Sequence, residues 1–298
     1  MTDNGVRART FRAAAVVLLP VASLMFSVSA TASANNIGGS QAEKDTPEQH
    51  LIKAREAYQA KNYSLVKKRL KQALSLNGEM PEAHVLLGLT ARAEGDSKEA
   101  IKSLDKAIKL RPNFPDAHYI LALFLFEIND RARALEEAEL AIAQGASFLN
   151  AFYLRGQIYL AYRKSQEALK SFEEGLRLGT AKDEMLPRLR EQYEALKGWI
   201  EFTAVKRDTS YKRPKLLNNP FPAYTEWARQ EGVEGTVRLA VLIDDKGKVT
   251  SSLIFLGLGY GLDEQAVKAA SKFKFEPATV DGKPISFWQM VEVEFRLR

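Results

Sequence analysis

Residues 236–256, TVRLAVLIDDKGKVTSSLIFL, alternate apolar and polar side chains on either side of a turn. Val237, Leu239, Val241 and Ile243 share one face, Asp244-Asp245-Lys246-Gly247 turns the chain, and 248–256 returns. Alternation with period two flanking a glycine-containing turn predicts a β-hairpin. Residues 262–273 then carry apolar side chains at 262, 266, 270 and 273, with Asp263 and Glu264 in the first turn, where carboxylates suit the positive end of a helix. Residues 287–297 alternate again, with Phe287, Val291, Val293, Phe295 and Leu297 on one face and Glu292, Glu294 and Arg296 on the other. The chain therefore ends as a small ββαβ module over 214–298.

Upstream, a 34-residue period governs 47–182. Segments 47–80, 81–114, 115–148 and 149–182 place small residues at their eighth position (Ala54, Gly88, Ala122, Gly156). The twentieth position holds Val66, Ala100, Ala134 and Ala168, and the twenty-seventh Ala73, Ala107, Ala141 and Gly175. Small side chains are needed where the two helices of a hairpin cross closely, while Leu70, Leu104 and Phe172 at the twenty-fourth position fill the gap to a neighbour. Met185, Leu189, Tyr193, Leu196 and Ile200 recur at spacings of four and three, so 183–204 is expected to be a helix capping the array, followed by a basic linker at 205–213. The fold class is mainly α with a C-terminal α+β domain.

The landmarks of 214–298 resemble the C-terminal domain of TonB, the protein that couples an inner-membrane proton motor to outer-membrane transporters. Phe221-Pro222 stands at that family's Tyr-Pro, and Gly232, Glu234, Gly235 and Val237 follow its G-x-E-G-x-V pattern. Asp244, Gly247, Val249, Leu262-Asp263, Ala266, the run Phe273-Lys274-Phe275-Glu276-Pro277-Ala278 and Asp281-Gly282-Lys283-Pro284 complete the match. The stretch before Phe221 reads Asn218-Asn219-Pro220, where the family has Gln-Pro-x. The resemblance implies an open edge strand to which a transporter's N-terminal segment adds as a further strand. Its residues here would be Phe287, Gln289, Met290, Val291, Glu292, Val293, Glu294 and Phe295, with Asn219, Phe221 and Pro222 at the approach to the domain.

The 34-residue period resembles tetratricopeptide repeats. That family implies an α-solenoid whose concave groove takes a second protein or peptide. The groove positions here would be Leu51, Arg55 and Tyr58, then Val85, Leu89 and Arg92, Tyr119, Leu123 and Phe126, and Tyr153, Gln157 and Leu160. Packing between helices is the equal alternative for several of them. His50, His84 and His118 occupy the fourth position of consecutive repeats. Equivalent positions on stacked repeats lie about 8–10 Å apart, whereas metal ligands converge to about 2 Å from one ion, so packing is expected and no metal.

Arg7, Arg9 and Arg12 precede an apolar run at 13–26, and Ala32-Ser33-Ala34 offers a cleavage site after Ala34. Residues 1–34 therefore read as a signal peptide, with an uncleaved membrane anchor as the alternative, and 35–46 as a polar leader. The expected compartment is the periplasm; an anchored chain would face it from the inner membrane, and membrane association is expected only if 1–34 are retained. The 43 basic and 37 acidic residues leave a net charge of +6. Removing 1–34 takes away three arginines and one aspartate and leaves a net +4. That charge, with no reading motif, gives no case for nucleic-acid binding.

The chain has no cysteine, hence no thiol nucleophile or disulfide. The three histidines share one repeat slot, Glu136-Glu137 and Glu173-Glu174 are helical neighbours that point apart, and Asp244-Asp245 sits in a turn. Gly257, Gly259 and Gly261 miss the dinucleotide-binding spacing. An enzyme is not expected, nor any cofactor. The reading is a periplasmic TonB-family adaptor in transport across the envelope; the alternative is an envelope scaffold with no energy-transducing role.

Overall fold

The computed structural model describes residues 45–145, 149–204 and 211–297. The signal-peptide reading and most of the leader lie outside the described residues. Helices run in antiparallel pairs: α1 (Pro47–Gln59), α2 (Tyr63–Leu76), α3 (Pro81–Ala93), α4 (Ser97–Leu110), α5 (Pro115–Glu127), α6 (Arg131–Ala143), α7 (Leu149–Ala161) and α8 (Ser165–Leu178). A longer helix, α9 (Leu186–Ala204), follows. The mainly helical, repeat-built architecture with a small C-terminal sheet domain is as the sequence predicts. The described residues divide inside α7, after Arg155, into two compact units.

In the first unit each hairpin is punctuated identically. Lys61, Gly95 and Asn129 take left-handed backbone at φ 56°, 82° and 66°. Immediately after them, Asn62, Asp96 and Asp130 cap α2, α4 and α6 by accepting from the N–H groups of Leu65, Glu99 and Arg133. Pro47, Pro81 and Pro115 open α1, α3 and α5, where a missing N–H costs nothing. Thr46 and Gln49 form a reciprocal capping box on α1. The periodic small residues Ala54, Val66, Ala73, Ala100, Ala107, Ala122, Ala134 and Ala141 are fully buried. A Cβ added to Gly88 would come within 2.8 Å of the Leu104 side chain, so glycine makes room for the larger partner.

The second unit holds the end of α7, then α8, α9 and the sheet domain. Gly156 is tighter still: a Cβ there would lie 2.1 Å from the Phe172 ring. The domain adds β1 (Tyr211–Lys212), β2 (Lys215–Leu216), α10 (Glu226–Gln230), β3 (Gly235–Ile243), β4 (Val249–Leu256), α11 (Leu262–Ala270), β5 (Phe275–Glu276), β6 (Ala278–Val280), β7 (Lys283–Ile285) and β8 (Phe287–Phe295). The main sheet is antiparallel with order β4-β3-β8, and smaller sheets pair β1-β6-β7 and β2-β5.

The predicted hairpin, helix and last strand are present. The short strands are additions that two- or three-residue segments cannot announce by alternation. Tyr211 and Lys212, in the segment expected as linker, pair with Val280 and Thr279. The last strand stops at Phe295, and Leu297 is exposed instead of joining the apolar face.

Val237, Leu239, Val241 and Ile243 of β3 pack with Leu262, Ala266, Val267 and Ala270 of α11, together with Phe273, Phe275, Val293 and Phe295. The turn between β3 and β4 needs glycine twice over. Gly247 has φ +78°, and a Cβ on it would sit 1.8 Å from the Phe275 carbonyl oxygen, whose own N–H donates to the Gly247 carbonyl at 2.9 Å.

Replacing Gly156 with alanine forces either the Phe172 ring or the helix pair apart. We expect Gly156→Ala to cost about 1–3 kcal/mol by chemical denaturation. Phe172→Leu in the same chain should recover part of that loss; strict additivity would show that the ring is not what the glycine accommodates.

Candidate functional site

β8 is positioned by one neighbour. Nine residues of β3, Gly235 to Ile243, pair with Phe295 to Phe287, and among the described residues no strand pairs with the other side of β8. Phe287, Val293 and Phe295 point into the domain and are buried, Gln289 and Val291 are half-buried, and Met290, Glu292 and Glu294 are exposed. Glu292 reaches across the ladder to Arg238 at 2.8 Å, and Arg296 Nε donates to Glu294 at 2.7 Å. Edge N–H and C=O groups of such a strand are a template for an added strand.

Trp288 escaped the sequence reading, which names only charged residues on its face. It is buried, and so is Phe255 of β4. The Trp199 ring of α9 meets both, at 5.8 Å from Trp288 and 5.5 Å from Phe255. Phe202 lies 4.8 Å from Phe287, edge to face, and Tyr211 lies 5.4 Å from that same ring. The detectable signal was a tryptophan in the same register as Glu292 and Glu294, matched by two aromatics in the last turns of α9.

The approach to the domain is held by Asn218, whose side chain accepts from the Lys274 N–H at 2.6 Å and donates to the Lys272 carbonyl at 3.2 Å. Asn219 is exposed, Phe221 is 86% exposed and Pro222 is half-buried. Three residues downstream of Pro222, Thr225 caps α10 through the Ala228 N–H, and the Tyr224 hydroxyl donates to the Val233 carbonyl.

The expected groove positions fall into two sets. Leu51, Val85, Leu89, Tyr119, Tyr153 and Leu160 are buried, as packing residues are. Arg55, Tyr58, Arg92, Leu123, Phe126 and Gln157 are half-buried. Arg92 is engaged: its guanidinium forms a two-point ion pair with Glu127, Nε to Oε2 at 2.6 Å, across two repeats. Burial raises the Tyr58 phenol and lowers the Arg55 guanidinium from their ordinary values. Gln157 donates to Gln192 of α9 at 3.3 Å.

Comparison with known proteins places the sheet domain. Residues 220–297 match the family described as Gram-negative bacterial TonB protein C-terminal, and residues 88–129 match a tetratricopeptide repeat. The C-terminal module belongs to the TonB C-terminal family. Protein TonB of Vibrio cholerae is 31% identical over 77 residues, covering 26% of this chain and 32% of that protein. Protein tonB2 of Pseudomonas aeruginosa is 35% identical over 82 residues, covering 27% and 30%. The chain thus spans about a third of the curated relatives it matches. Among solved structures the chain is similar to pilF of Pseudomonas aeruginosa, with 20% identity, TM-score 0.48 and coverage of 53% of this chain and 70% of that one. It is also similar to MamA from Desulfovibrio magneticus, with 19% identity, TM-score 0.46 and coverage of 52% and 85%.

Both matched families are adaptor or repeat domains rather than catalytic ones. In the repeats, the three histidines have diverged in their contacts. His118 is buried, with Nδ1 2.6 Å from Glu137 and Nε2 3.0 Å from the Pro112 carbonyl, to which Gln144 also donates at 3.0 Å. The Glu137 hydrogen bond raises its pKa above the ordinary histidine value, against a lowering by burial. Burial instead lowers His84. His50 is buried with Nδ1 3.6 Å from Asp45.

A raised histidine pKa means stability that is complete below about pH 6.5, the unfolded value, and is lost as pH rises through the higher folded value. Glu137→Gln should lower stability by about 1–2 kcal/mol at pH 6 and flatten the dependence between pH 6 and 8 in thermal melts. An unchanged pH slope would remove the Glu137 pair as its cause. Trp199→Ala should cost about 2 kcal/mol and expose Trp288 to collisional quenching of its fluorescence; quenching equal to that of the parent protein would show that α9 does not cover the sheet.

Proposed function

We propose that this chain is a periplasmic adaptor in TonB-dependent transport across the cell envelope, capturing partner segments by strand addition at β8. The observation that carries this reading is an edge strand, in a TonB C-terminal domain, whose ladder is satisfied on one side only among the described residues. The partner is an extended N-terminal segment of an outer-membrane transporter. Met290 offers an apolar contact on the exposed side of the edge, and Glu292 and Glu294 favour cationic or polar neighbours.

A handful of main-chain bonds at about 1 kcal/mol each, offset by ordering the peptide, gives a Kd on the order of 0.1 mM or weaker. Such a complex exchanges quickly, as a reloading transporter requires. The repeats supply a second protein-binding surface through Tyr58, Leu123 and Phe126, the half-buried aromatic and aliphatic positions of their first helices.

Because the chain has no cysteine, single cysteines at positions 289 to 294 can be introduced against a silent background. A transporter-derived peptide with one cysteine should form disulfides with a two-residue alternation along β8, since neighbouring strand residues face opposite sides. Capture no better than that of a scrambled peptide would overturn strand addition and leave the scaffold reading.

A further inference from the structure

Several lysines of the C-terminal domain gather around one short strand pair. Lys215 pairs with Glu276 and Leu216 with Phe275, and the Leu217 N–H then donates to the Lys274 carbonyl at 2.8 Å. On the other flank of that segment, Lys248 forms a bridge with Lys274. Directly opposed residues project to the same side, so Leu217, Lys274 and Lys248 form one row and Lys215 and Glu276 the next, while Phe275 turns inward and is buried. Asn218 holds Lys272 beside this strip through its carbonyl, and Lys246 lies in the adjoining turn.

Lys246, Lys248, Lys272 and Lys274 are exposed, and among the described residues no ion pair joins any of them. The nearby carboxylates are largely engaged. Glu276 is paired with Lys212 at 2.8 Å, and Asp244 accepts the backbone N–H groups of Lys246 and Lys248 at 3.0 and 2.8 Å; Asp245 is exposed in the turn. Amid this cationic surface, Leu217 is 63% exposed.

We propose that this strip docks on an anionic phospholipid surface. It is the outer side of short paired strands, on which the lysine side chains stand side by side. Lysines present compact charges on flexible apolar stems that can reach a plane of phosphates, and a protruding leucine enters the interface between them. Docking there would leave β8, a different strand, for a protein partner.

The test is co-sedimentation of the full chain with vesicles of phosphatidylcholine alone or with a minority of phosphatidylglycerol. The anionic vesicles should bind more protein. Each lysine contributes roughly fivefold, so Lys248→Gln/Lys272→Gln/Lys274→Gln should lower partition roughly a hundredfold, with the fold verified by thermal melt. Leu217→Ser should weaken binding severalfold without any change of charge. A control removing three exposed lysines of the helices, Lys68→Gln/Lys71→Gln/Lys109→Gln, should retain parental binding. An equal loss in that control would reduce the effect to bulk charge and overturn the site. Unchanged binding in the strip variant would also overturn it, as would capture of a polyglutamate peptide with no preference for anionic vesicles, which would reassign the strip to an acidic protein segment.

Discussion

The C-terminal unit is governed by a three-stranded sheet that buries apolar side chains on both faces. Three strands with one helix across them can close only one side, and α11 does so over Val237, Leu239, Val241 and Ile243. The opposite side still carries Ala240, Leu253, Phe255 and Trp288, all buried. What covers the two aromatics there is the C-terminal end of α9, with Trp199 set between Phe255 and Trp288. Aromatic side chains bury about 150–250 Å² each, which at roughly 25 cal/mol per Å² makes leaving such a face in water costly by several kcal/mol. The helix that reads from sequence as the end of the solenoid is therefore also a layer of the sheet domain.

In the repeats the governing quantity is the distance of closest approach between paired helices, and side-chain size is traded across it. Gly88 faces Leu104 and Gly156 faces Phe172, whereas the third repeat sets Ala122 in a hairpin with Ala138 at the corresponding place. Chemistry is not inherited in the same way. The fourth-position histidine is hydrogen-bonded to a carboxylate in one repeat, lies near a different carboxylate in another, and loses basicity to burial in a third. The slot specifies a shape rather than a hydrogen-bond pattern: both His118 nitrogens are partnered, whereas His50 Nδ1 is buried with no hydrogen-bond partner among the described residues.

Much of this was legible because period reports packing. The helices opening at Pro47, Pro81, Pro115 and Leu149, the hairpin, α11 and β8 all announce themselves through spacings of 34, two or three to four residues. The strands at Tyr211–Lys212, Lys215–Leu216 and Lys283–Ile285 could not, since alternation needs at least four residues to be visible. Trp288 was missed for another reason: its burial depends on a helix about ninety residues upstream, and no local pattern encodes that. The groove positions were legible only as helix faces. Which members of a face stay open is a property of the neighbouring helices, and Leu89 and Tyr119 are taken up by them while Phe126 is half-buried.

Openness of β8 is likewise a three-dimensional property, and an open edge is a hazard that must be contained. Containment here is asymmetric. At the Phe287 end, α9 and Tyr211 crowd the strand with rings, so approach is restricted there. Toward the other end, Glu292 and Glu294 punctuate the exposed side with charge, and their pairing with Arg238 and Arg296 keeps those carboxylates oriented rather than free. Two copies of the edge meeting antiparallel about Val293 would set Glu292 opposite Glu294, which disfavours that self-pairing by like-charge repulsion. A segment carrying apolar and cationic residues meets no such penalty. Under the proposed strand addition, the features that keep the edge from pairing with itself would also select what it admits, and because the strand already makes nine pairs to β3, the ordering cost of association would fall on the incoming segment.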